Sequence, residues 1–199
     1  QHKHNTTYNT IVTQRGGAKV EIYTRIVSIV NQKGGVGKTS VAYHLAGALV
    51  SEFDRRVLVV DLDSQGNLTE CFRTDNIEYS SYDLITNDDI QLEDTIISTN
   101  IKELDLIPAS IKLANLDLEI ADQKARLELL AQNIDKQQLN DDYVFIDCPP
   151  SLSLLTNNSL VASDSLLIPM QVGLFSLKGL SKLTKTYKII KKRYNDNLN

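Results

Sequence analysis

The segment Gln32-Lys33-Gly34-Gly35-Val36-Gly37-Lys38-Thr39-Ser40 crowds glycines, lysines and hydroxyls into one turn, directly ahead of the apolar-periodic run VAYHLAGALV. Glycines at 34, 35 and 37 permit a tight backbone wrap with amide N–H groups pointing inward, and the start of the following helix adds its positive dipole end. Such a turn solvates a chain of phosphates. Lys38 can reach the β and γ oxygens, and Thr39 supplies a hydroxyl of the kind that ligates Mg2+ in such loops. The strict pattern G-x-x-x-x-G-K-[ST] is not met, because Gln32 occupies its first glycine position. A glycine-rich turn that merely connects a strand to a helix is the plainer reading, but the string G-G-x-G-K-T in that context weighs against it.

Carboxylates follow at two further places. Asp61 and Asp63 stand two residues apart, so on an extended segment they point to the same side, which is repulsive unless a cation or a polar site offsets them. Either one could instead cap a short helix over Gly66–Phe72. Asp147 ends the apolar run YVFID, and Pro149-Pro150 then stop the strand. One carboxylate delivered to the tip of a buried strand is placed to hold Mg2+, often through water.

The elements that must position these residues show as alternating patterns. Apolar, β-branched runs at Arg25–Asn31, Arg56–Asp61, Leu104–Pro108, Tyr143–Asp147 and Ser165–Pro169 read as buried strands. Helical periodicity falls between or after them, over Lys38–Glu52, Ile111–Gln138, Leu152–Ala162 and Ser176–Tyr194. Strand alternating with helix predicts an α/β fold with a mostly parallel sheet flanked by helices on both faces. In such sheets ligands gather at the carboxyl ends of the strands, where Asn31-Gln32-Lys33, Asp61-Leu62-Asp63 and Asp147 should converge. The acidic stretch Thr74–Glu103 predicts short helices and loops. Residues 1–24 form a leader of unknown role that has room for a hairpin turning at Arg15-Gly16-Gly17, ahead of a domain over 25–199.

The string K-G-G-V-G-K-T, with the extra lysine at Lys33, resembles the ParA/MinD family of P-loop ATPases, whose Walker-A loop is deviant. The resemblance continues in D-L-D-S-Q-G-N at 61–67, in D-C-P-P-S-L-S-L-L-T-N-N-S-L at 147–160, and in LLIPMQ and FSLKGL, which reach Leu180. Among its branches the chain is most similar to the partition ATPases. It departs from their D-x-D-P-Q-G-N pattern at Ser64, which stands in place of proline and implies a looser loop. The resemblance implies a P-loop NTPase fold, hydrolysis of ATP with Mg2+, and a sandwich homodimer formed on ATP binding. It implies that Gly34, Gly35, Val36, Gly37, Lys38, Thr39, Ser40 and Pro169 border the nucleotide. Thr39, Asp61 and Asp147 would serve the metal, Asp63 the attacking water, and Lys33 a phosphate on the partner protomer. For Lys33 a solvated surface lysine remains the alternative. The resemblance further implies non-specific DNA binding and an adaptor protein bound at a centromere. Relatives continue beyond the point matching Asn199, so the domain is expected to lack its C-terminal part.

Composition narrows the remaining classes. The chain has 199 residues, 42% hydrophobic and 23% charged, which excludes collagen-like, disordered and multispanning membrane proteins. No apolar run is long enough to span a bilayer and no secretory signal is visible, so a cytoplasmic protein without membrane attachment is expected. Cys71 and Cys148 are far apart in sequence, arguing against a disulfide framework or zinc site, and both are expected reduced and packed. The net charge of −4 hides an asymmetry. Over Ser176–Tyr194, Leu177, Leu180, Leu183, Tyr187, Ile190 and Tyr194 fall on one helical face, with Lys178, Lys182, Lys185, Lys192 and Arg193 on the other. That basic stripe suits DNA phosphates, and equally a solvated face. A MinD-like membrane-associated positioning ATPase is the alternative function. It would require an amphipathic tail that the sequence does not display.

Overall fold

The computed structural model describes residues 11–15, 18–72, 74, 77–134, 139–171 and 174–199, by backbone alone for 11–22 and 174–178. In the leader, β1 (Ile11–Arg15) and β2 (Ala18–Ile22) pair antiparallel with Arg15 opposite Ala18. This is the expected hairpin pairing; Gly16 and Gly17, where the turn is expected, lie outside the described residues.

All five expected strands form, as β3 (Arg25–Ile29), β4 (Val57–Asp61), β6 (Leu104–Ile107), β7 (Tyr143–Asp147) and β8 (Ser165–Leu167). A sixth, β5 (Ile97–Ser98), adds an antiparallel edge beside β6. The order is β5-β6-β4-β7-β3-β8, and all pairings except β5 with β6 are parallel. β4 is buried along its whole length because helices cover both faces of the sheet. Its side chains alternate accordingly. Val57 and Val59 join Phe145, Ala42 and Ala46 in one core, while Leu58 and Val60 join Val144, Ile146 and Leu160 in the other. Fully burying each such side chain contributes roughly 1.5–3 kcal/mol, so the central strands dominate the fold's apolar gain.

The first core is roofed by α1 (Lys38–Phe53) and α2 (Asn67–Cys71). The segment after α2 breaks into α3 (Ser81–Thr86) and α4 (Leu92–Thr95), short pieces as its weak pattern predicts. Of that stretch, Arg73, Asp75 and Asn76 lie outside the described residues. Ser80 starts α3, its N–H and Oγ both donating to Asp83 Oδ2 at 2.9 and 2.7 Å.

The expected helix over Ile111–Gln138 does not form as one piece. A 3-10 turn at Ile111–Asn115 leads into α5 (Leu116–Glu119), and after a run of turns α6 (Leu129–Asn133) follows. Residues 135–138 lie outside the described residues. The cause is tertiary. Helix α7 (Leu154–Ala162) supplies buried Asn158, whose Nδ2 donates to Arg126 O at 2.7 Å and whose Oδ1 accepts from Leu130 N at 3.1 Å. One amide thus takes up the backbone groups that a helix interior would have paired, while Leu116 and Ile120 before the break and Leu130 and Ile134 after it are buried. The last helix, α8 (Leu174–Arg193), packs against α7. Cys148 is buried as expected, whereas Cys71 is exposed at the end of α2, its Sγ donating to Asn67 O at 3.2 Å.

Candidate functional site

Parallel pairing brings the chemistry-bearing residues to one edge. In register, Ile29 and Asp61 both lie beside Asp147, so the exit of β3 and the tips of β4 and β7 are adjacent at the carboxyl end of the sheet. The loop leaving β3 takes left-handed backbone at Gly35 (φ 71°) and at Gly37 (φ 93°), a conformation that a side chain would penalise. Gly37 caps α1, accepting from Val41 N at 2.8 Å, and no acidic side chain lies in the helix's first turn. The positive helix end is therefore left for an external anion. Lys38 is 7% exposed at the head of α1; Val36 is half-buried, and Gly34 and Ser40 are exposed.

The two strand-tip carboxylates differ. Thr39 Oγ1 donates to Asp147 Oδ2 at 2.6 Å, while Asp147 Oδ1 is buried with no hydrogen-bond partner among the described residues. Burial pushes this carboxyl up to about 7; the Thr39 hydrogen bond and the Lys38 charge oppose the rise, and the charges of Asp61 and Asp63 add to it. An unpaired buried oxygen beside a threonine hydroxyl fits a hard divalent cation. Mg2+ is such a cation, and it keeps several of its waters and needs few protein ligands.

Asp61 is also fully buried, yet both its oxygens are engaged. Oδ2 accepts from Thr69 N at 2.9 Å and Thr69 Oγ1 at 2.8 Å, and Oδ1 accepts from Asp63 N at 3.1 Å. Burial raises its pKa, and these hydrogen bonds counter the rise. The cap residue of α2 is Gly66, which has no side chain, so Asp61 caps that helix from the strand before it. It can act on a neighbouring cation by charge rather than as a free ligand. Asp63 is half-buried and faces the same edge. Its Oδ1 accepts from Gln65 N at 3.1 Å and its carbonyl from Gly66 N at 2.8 Å, so a hydrogen-bonded turn closes the loop at Ser64.

A third set of contacts was not visible in the sequence. Asn31 Nδ2 donates to Pro169 O at 2.7 Å, and Asn31 Oδ1 accepts from Lys33 N at 3.0 Å. Gln32 Nε2 donates to Gly179 O at 3.4 Å. Exposed Lys33 donates from Nζ to Gln171 Oε1 at 3.2 Å, and Gln171 Nε2 donates to Gly35 O at 3.1 Å. Pro169 therefore meets the loop through its carbonyl. Position alone could have flagged Gln171, two residues past Pro169 at the tip of β8, but not its partners.

On α8, Leu183 and Ile190 are buried, and Lys182, Lys185, Lys192 and Arg193 are exposed, as the periodicity predicts. The side chains of Leu177 and Lys178 lie outside the described residues. Tyr194, expected on the packed face, is instead 41% exposed just past the helix end. No helix among the described residues is long and apolar enough to cross a membrane.

The AAA domain family matches residues 24–199. The chain is 42% identical over 176 residues to sporulation initiation inhibitor protein Soj of Bacillus subtilis, covering 87% of this chain and 69% of that protein. It is 41% identical over 187 residues to chromosome partitioning protein ParA of Myxococcus xanthus, covering 93% of this chain and 64% of that protein. Among solved structures, cobyrinic acid a,c-diamide synthase from Mycobacterium smegmatis, with bound ATP analog and magnesium, matches with a TM-score of 0.81. The identity there is 33%, over 88% of this chain and 71% of that one. Identity at this level along nearly the whole chain, on a shared fold, means that this chain belongs to the AAA domain family and is a relative of the Soj and ParA partition proteins.

Proposed function

We propose that this chain is a Mg2+-dependent ATPase of the ParA type, acting in plasmid or chromosome partition. The observation that carries the reading is the Thr39–Asp147 pair at the mouth of the glycine loop, with Asp147 Oδ1 buried and unpartnered. The similarity to Soj and ParA supports it, as does the likeness to a synthase described with an ATP analog and magnesium.

Thr39 and Asp147 would hold the metal, and Mg2+ when bound supplies positive charge that neutralises phosphate oxygens. The amides of Gly34, Gly35, Val36, Gly37 and Ser40 and the ammonium of Lys38 fix the phosphates in place. Asp61 holds α2 and the Asp63 turn against the site. Asp63 orients the attacking water, and Pro169 borders the nucleotide. Lys33 meets phosphate bound by a second protomer, much as an arginine finger does. The resulting dimer binds DNA without sequence preference through Lys178, Lys182, Lys185, Lys192 and Arg193, and an adaptor bound at a centromere stimulates turnover.

Calorimetry with ATP and Mg2+, followed by DNA retention and hydrolysis assays, tests this. Lys38→Ala should weaken ATP binding about 10- to 100-fold, the scale of a lost hydrogen bond to charge. Asp63→Ala should keep binding and dimer formation while hydrolysis stops; normal turnover in it refutes the role given to that carboxylate. The absence of any nucleotide heat from the wild-type chain would sink the whole proposal.

A further inference from the structure

Three consecutive side chains at the start of the glycine loop all reach the stretch that runs from the end of β8 into the second turn of α8. Asn31 bonds to Pro169 O, Gln32 to Gly179 O, and Lys33 to the side chain of Gln171, which returns a bond to Gly35 O. Among the described residues, Gln171 is the one member that holds the loop twice, through a cation on one side and a backbone carbonyl on the other. Its amide suits this, because Oε1 accepts from the ammonium while Nε2 donates to the carbonyl. Lys33 and Gln171 are both exposed, so water or an anion can compete for the contact.

We propose that Gln171 is a positioning residue that parks Lys33 in the phosphate-free loop and couples phosphate arrival to the start of α8. Any phosphate oxygen that claims Lys33, on this chain or on a second copy, must displace a neutral amide. A charged oxygen is the stronger acceptor for an ammonium, so the exchange runs toward phosphate. Once Lys33 leaves, the segment that carries Gln171 loses one of its ties to the loop, while the bond to Gly35 O can persist. The same helix carries the basic stripe, so the state of the loop is linked to the position of that stripe. This inference rests on the phosphate-binding reading of the loop.

The test uses two substitutions that act oppositely on Lys33. Gln171→Glu places a carboxylate where the amide oxygen stands and holds the ammonium more firmly, whereas Gln171→Ala releases it. The first readout needs no nucleotide: amine acylation of Lys33 followed by mass spectrometry should be slower than wild type in Gln171→Glu and faster in Gln171→Ala. The second is self-association of the full chain with Mg2+ and a non-hydrolysable ATP analogue, followed by sedimentation. Its threshold concentration should rise in Gln171→Glu and fall in Gln171→Ala, by about five- to tenfold, the scale of one hydrogen bond. Labelling rates that do not follow this order overturn the parking contact. Thresholds that move in the same direction for both variants overturn it as well, since that is the mark of a residue that only maintains the loop's shape. If no chain self-associates, wild type included, the dimer of the proposed function falls, and the labelling order alone decides the glutamine.

Discussion

The tips of β4 and β7 lie side by side in register, each ending in a buried aspartate, Asp61 and Asp147. At the β4 tip the chain returns to its own carboxylate within eight residues, and Thr69 fills one of its oxygens twice. At the β7 tip the chain turns away through Pro149 and Pro150, and among the described residues the Asp147 carboxylate receives only the Thr39 hydroxyl, from the head of α1. One carboxylate is therefore spent on holding α2, and the other is left with an oxygen for something the protein does not itself supply. Equal residue type and equal burial do not make equal sites; what separates them is how many donors the surrounding backbone brings.

That contrast can be broken most directly by removing each carboxylate in turn. Asp61→Ala leaves the Thr69 amide and hydroxyl without their acceptor and should cost about 3 kcal/mol in urea unfolding, from the penalty for orphaned buried donors. Asp147→Ala under the same conditions, without nucleotide or metal, should cost less than 1 kcal/mol. Comparable losses for the two would erase the distinction.

A smaller effect appears in the pH dependence of the metal-free protein. Because the folded chain raises the Asp147 carboxyl to about 7 from 3.8, it binds that proton more tightly than the unfolded chain does. The stability this contributes is complete below 3.8 and is lost as pH rises through about 7. At pH 8 the wild type therefore carries the cost of a buried, half-paired charge, and Asp147→Asn should be the more stable of the two in urea unfolding. The gain should shrink toward zero as the pH approaches 4. A gain that grows on acidification would contradict the assignment. The smallest effect sharpens the picture at one hydrogen bond. Thr39→Val removes the donor that lowers the Asp147 pKa, so carbon-13 titration of that carboxyl should move further upward, and a downward shift would show that the Thr39 contact is not the one described.

Much of this was legible before the fold was known. The glycine loop is a local device: its left-handed turns at Gly35 and Gly37, its lysine and its threonine depend on residues a few positions apart. The strand tips were legible too, because an apolar run ending in Asp marks both the strand and its last residue. The helix expected over Ile111–Gln138 failed for the opposite reason. Its apolar spacing is met on both sides of the break, and what breaks it is Asn158, contributed by α7. The exposure of Cys71 and of Tyr194 likewise depended on where their helices stop, which periodicity does not specify.

From the sequence alone come the alternation of strand and helix, the phosphate-binding turn and the candidate acids, since each follows from backbone geometry or side-chain period over a short stretch. The tertiary structure alone decides which acid is satisfied, which lysine is held by Gln171, and where a helix must break. Those outcomes depend on pairing buried polar groups from distant segments, and no short stretch of chain contains both partners.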